Sequence, residues 1–130
     1  MGSKAQISAE FFIFLGLAFL VAIAFEIASL EQLSDFRLRK ENDIAKDLAL
    51  SIQKELILAA TVEDGYVRTF KLPDQVESIN YSIQMQNSTL AVQTKNSYYL
   101  VGIPNSIGNL TKGTNQIKKI NGILYINGTG

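Results

Sequence analysis

Fifteen consecutive residues without a polar side chain, Phe11 to Phe25, constrain this chain more than any other feature. Such a run cannot stay in water. Each Å² of apolar surface left wet costs about 25 cal/mol, so the segment must meet lipid or protein. By itself it falls short of the roughly 20 residues that cross a bilayer. Counted from Ile7 through Leu30, with Ser8, Glu10, Glu26 and Ser29 near the ends, it is long enough. The apolar pattern then continues. From Glu26 to Thr61 there is neither proline nor glycine, and Ile27, Leu30, Leu33, Ile44, Leu48, Ile52, Leu56 and Ala59 recur mainly at three- and four-residue steps. That spacing predicts an amphipathic helix with a gap around residues 35 to 43. A continuous helix from about Ser3 to Thr61 would measure on the order of 85 Å. It is too long for a globule of 130 residues, so half of it needs partners outside its own fold.

The gap holds Asp35, Arg37, Arg39, Lys40, Glu41 and Asp43. Two readings stand: a solvated girdle with local ion pairs of a few tenths of a kcal/mol, or a belt of contact between subunits. Gly16 reads as a membrane-helix glycine or a close packing point, or else as a weak place where the helix can bend. Phe11, Phe12, Phe14, Phe19 and Phe25 supply apolar bulk.

Directly before the run stands Lys4-Ala5-Gln6-Ile7-Ser8-Ala9-Glu10. An ordinary secretory signal would use Lys4 as its basic end and Ala22-Ile23-Ala24 as its cleavage site. The apolar pattern, however, runs past Ala24 without a break. A plain membrane anchor has no use for Glu10, because a carboxylate at mid-bilayer costs roughly 2.5 to 3.5 kcal/mol, less near the interface. The third reading rests on Gln6-x-Ser8-x-Glu10. A cation and a small residue precede it, and the apolar helix follows. This pattern resembles the class III, type IV prepilin-like signal of archaeal pilins. The resemblance is close over about the first 25 residues and less specific beyond. It implies cleavage by a prepilin peptidase at Ala5|Gln6, with Gln6, Ser8 and Glu10 acting in assembly. Cleavage would leave an α-ammonium on Gln6, one helical turn before Glu10. The family pairs that acid with the amine of a neighbouring subunit, and a low dielectric would strengthen the pair. An acid in the first turns also suits the helix dipole.

After Thr61 the period changes to two. Asp64-Gly65 marks the break, and Glu63 and Asp64 read as turn chemistry. Strands are predicted over Tyr66–Leu72, Ile79–Met85, Thr89–Gln93, Ser97–Ile103, Gln116–Ile120 and Ile123–Asn127. Pro73 and Pro104 stop two of them. Asn105 to Gly113 reads as a loop. Asn121-Gly122 predicts a type I′ hairpin. The expected fold class is α+β, a long N-terminal α-helix packed on a C-terminal antiparallel β-sheet domain of five to six strands. The sheet should bury its apolar face against residues 44 to 60 of the helix. The division is a leader at 1–5, a membrane or filament-core helix at 6–30, an amphipathic continuation at 31–61 and a β head at 62–130. The resemblance implies the lollipop shape of type IV pilins.

Four sequons lie in the β region: Asn80-Tyr81-Ser82, Asn87-Ser88-Thr89, Asn109-Leu110-Thr111 and Asn127-Gly128-Thr129. They are candidate N-glycosylation sites if the domain is exported, with Asn87 and Asn109 favoured because they fall in turns. The alternative is chance in a segment rich in Asn, Ser and Thr.

The rest of the inventory is poor for catalysis. The chain has no cysteine, histidine or tryptophan. That removes thiolate nucleophiles, disulfides, the commonest metal ligand and the usual general base. Twelve basic residues balance twelve acidic ones, and no basic patch argues for nucleic acid. Neither a phosphate-binding glycine loop nor a Gly-x-Ser-x-Gly elbow is present. No catalytic residue, metal site or cofactor is expected. The reading is a non-enzymatic subunit of an archaeal type IV pilus-like cell-surface filament, with surface adhesion as its use. A motility filament fits less well, because the chain is shorter than most archaeal flagellins and its Gln-Ile-Ser start departs from theirs. The first partner is the chain itself, as a homopolymer. The precursor sits in the cytoplasmic membrane, and the resemblance adds a platform protein and an assembly ATPase. The alternative is a membrane-anchored monomeric binding domain facing outward, which should break its helix near residues 26 to 43. A third class is an accessory subunit of an exported enzyme.

Overall fold

The computed structural model describes residues 2–128. Met1 of the expected leader and Thr129 of the last sequon lie outside them. One helix, α1 (Gly2–Thr61), precedes nine strands: β1 (Val67–Leu72), β2 (Gln75–Val76), β3 (Ile79–Asn80), β4 (Ser82–Gln86), β5 (Thr89–Gln93), β6 (Tyr98–Gly102), β7 (Ser106–Gly108), β8 (Gly113–Ile120) and β9 (Ile123–Ile126). The chain divides into two compact units, residues 1–37 and 38–130. α1 is helical throughout, including residues 26 to 43.

The described residues of the first unit are all helical. All its described side chains, from Lys4 to Arg37, are exposed. In the second unit α1 buries the face that the three- and four-residue spacing marked. Ile44, Ala45, Ala49, Ile52, Leu56 and Ala59 are buried, and Leu48 is half-buried. Ile52, Leu56 and Ala59 join Leu90, Ile117 and Leu124 in the main core. Ala45 and Ala49 meet Tyr81 and Val92 in a smaller one. The two alanines let the sheet approach, and the larger side chains each contribute about 1.5 to 3 kcal/mol on burial.

The α+β class is the expected one, but its sheet is not single. The strands form three sheets, with orders β1-β8-β9-β7, β2-β3 and β4-β5-β6. Antiparallel pairing dominates, and β7 runs parallel to β9, with Ser106 opposite Leu124. The expected loop over 105–113 therefore contains a strand. Alternation could not reveal it, because three residues are too few to show a period. Gly108 permits the pairing. Its φ is +112°, and a Cβ there would collide with the Ile126 carbonyl oxygen. The expected strand over 79–85 is broken at Tyr81, which turns inward to a buried site. Its hydroxyl donates to the Pro73 carbonyl, and Lys112 stands 4.7 Å over its ring.

The Asn121-Gly122 hairpin forms as predicted, with φ of 50° and 78°. It is tied to the end of α1. Lys119 Nζ donates to the carbonyls of Ala60 (2.8 Å) and Val62 (2.6 Å). That places a cation at the negative helix terminus, where carbonyls lack partners. The Gly122 N–H donates to Asp64 Oδ1 at 3.0 Å. Asp64 thus holds two turns together rather than shaping only its own.

Candidate assembly surface

The helix of the first unit exposes apolar side chains all round. Phe12, Ile13 and Phe14 are each 66–69% exposed, and Leu20 and Val21 are about as open. A soluble monomer rarely exposes a contiguous apolar patch beyond a few hundred Å². By length and composition this helix is apolar enough to cross a membrane, and none of its most apolar stretch is buried within the chain. A Cβ on Gly16 would meet nothing within 4 Å. No contact among the described residues requires a glycine there.

Ala5, Gln6, Ser8 and Glu10 all lie on exposed helix. Gln6 and Glu10 share a face one turn apart, while Ser8 lies about 160° round the helix. The motif therefore presents two faces rather than one. The Ala5–Gln6 bond falls in the first turns of α1, which lack part of their hydrogen bonding and unwind most readily.

The charged collar divides by partner. Lys40 pairs with Glu77 at 3.2 Å. Glu41 accepts from the Thr94 hydroxyl at 2.9 Å, the Asn96 N–H at 3.0 Å and the Asn96 side-chain amide at 3.2 Å. The Thr94 hydroxyl, then the Asn96 N–H, hold the Glu41 carboxyl below its ordinary range. Glu41 therefore fastens the β5–β6 turn to the helix. Periodicity could not show this, because the partner lies 53 residues away. Arg37 and Glu31 have no ion-pair partner among the described residues.

The four sequon asparagines are exposed but not equivalent. Asn127 is occupied. Its amide donates to the Asn109 carbonyl (3.0 Å) and to Asn115 Oδ1 (2.8 Å), and its own Oδ1 accepts from the Gln116 N–H (2.9 Å). A glycan on that nitrogen would leave it a single N–H, so at least one of its two donated bonds would be lost. Asn80 accepts from Gln75 at 2.8 Å. Asn87 sits at the β4–β5 turn with φ +52°, and Asn109 follows β7. Asn115, which sequence reasoning passed over, is fully buried. It accepts from Thr111 N–H (2.8 Å) and donates to the carbonyls of Thr111 (2.7 Å) and Gly113 (3.1 Å). The excess of Asn and Thr in this stretch was its only signal.

No protein family, curated protein or solved structure matches this chain.

Proposed function

We propose that this chain is a structural subunit of a type IV pilus-like filament on an archaeal cell surface. It is inserted in the membrane as a precursor, trimmed at Ala5|Gln6, and polymerised through its N-terminal helix. The observation that carries this reading is the exposed apolar surface from Ile7 to Phe36. A bilayer accounts for about 20 of these residues. Leu33 and Phe36 lie beyond even a span counted from Ile7 through Leu30, and they are 48% and 64% exposed. They call for protein cover. Assembly moves the helix from lipid into packed protein, where van der Waals contact and paired polar groups replace lipid contact. Glu10 then has a use, opposite the new amine of a neighbour's Gln6. The role is structural, without catalysis or cofactor. Surface adhesion is the proposed use, and the peptidase, a platform protein and an assembly ATPase are the proposed partners.

The test is the intact mass and N-terminus of the protein sheared from cell surfaces. A start at Gln6 in sedimenting filaments is the expected result. A start at Met1 in the membrane fraction would favour the anchored monomer. A start near Phe25 would mean a secreted domain and end the filament reading.

A further inference from the structure

We infer that neighbouring copies in this assembly run parallel, about six residues out of step, so that Glu31 of one copy meets Arg37 of the next. The inference rests on the polymer reading and gives it a register.

Both residues are exposed on α1 within the first unit. Neither has an ion-pair partner among the described residues. Glu31 has Asp35 four residues on, a like charge, and Ile27 four residues back. Arg37 has Lys40 three residues on, also a like charge. Glu41, four residues on, already accepts three hydrogen bonds. Each charge lies on its own apolar stripe. Arg37 follows Leu30 and Leu33 at steps of three and four, and Glu31 follows Ile27 by four. At 100° per residue the two stripes stand about 120° apart, and at 1.5 Å per residue the two charges stand about 9 Å apart along the axis.

A helix with a cation on one apolar stripe and an anion on another is complementary to a second copy of itself. Because the stripes differ, the contact is head-to-tail, and because each copy is displaced about 9 Å along the axis from the last it repeats without closing, as a filament requires. An antiparallel pair would use one face twice and bring only one of the two charges to the seam. It would also point the N-terminal runs in opposite directions. Ile27, Leu30 and Leu33 would be covered in the same contact, and their burial would exclude water from the ion pair. Glu26 lies on the Arg37 stripe about 16 Å away along the axis and takes no part.

The chain has no cysteine, so introduced pairs report without background. In filaments of the full-length double variant Glu31→Cys/Arg37→Cys, a short bifunctional maleimide should give a ladder of covalent multimers. Either single variant should give none. Glu31→Lys and Arg37→Glu should each lower the sedimenting fraction about tenfold, and the exchange carrying both should recover to within about threefold of the unsubstituted chain. Filaments that form normally without a ladder, or single reversals without effect, would overturn the register and leave the polymer intact. A loss of membrane retention by Arg37→Glu, with cross-linking absent, would assign the cation to lipid headgroups and also overturn it. An unsubstituted chain that never sediments would instead remove the polymer reading itself.

Discussion

Asn115 shows how much one buried amide can hold. Its carbonyl and amide close the turn before β8, and Asn127 donates to it from the end of β9. Asn115→Ala should cost about 2 to 3 kcal/mol, because it removes every hydrogen bond made by a fully buried amide. A thermal melt of the detergent-solubilised chain measures it, and an unchanged midpoint would mean that water replaces the amide. Glu41 makes a prediction about pH. Its folded-state value is depressed from 4.5, so the stability it contributes is present above the unfolded value and is lost as pH falls through the folded one. Acidification below about 4.5 should therefore destabilise the unsubstituted second unit more than it does Glu41→Gln. Equal acid sensitivity in the two proteins would show that other carboxylates carry the effect.

At the scale of elements, helix and hairpins were legible where a period or a turn signal was long enough to read. The buried face of α1 over residues 44 to 59 and the Asn121-Gly122 turn came out as expected. The parallel β7–β9 pairing did not, since it depends on Gly108 approaching the Ile126 backbone rather than on any local pattern. Gly108→Ala should lower stability by roughly 3 kcal/mol or prevent β7 from docking, through both the positive φ and the collision with the backbone carbonyl. Amide exchange at Ile107 and Gly108 would locate the damage. Uniform protection there, equal to that of the unsubstituted chain, would refute it. The division of one expected sheet into three has a related cause. Strand alternation reports which face is buried and is silent about which strand lies beside which.

For the whole molecule, the decisive property is a helix whose apolar side chains are exposed from Ile7 to Phe36. On the proposed reading, Glu10→Ala should leave membrane insertion intact, since it removes a costly charge. It should also lower filament yield by about tenfold or more if the carboxylate pairs with a neighbour's amine at low dielectric. Comparing membrane-bound and sheared fractions measures both. A variant that assembles as well as the unsubstituted chain would leave Glu10 without an assembly role.

By itself the sequence determined the α+β class, the extent of the helix and the stretch of it that is apolar. These are properties of composition and period, which burial converts directly into free energy. The tertiary structure decided which charges are already satisfied. Lys40 and Glu41 are held by groups 37 to 55 residues away, while Glu31 and Arg37 have no ion-pair partner among the described residues. It also decided that Asn127 spends its amide inside the fold. Pairing over such separations depends on where the chain returns in space, and local spacing carries no record of that.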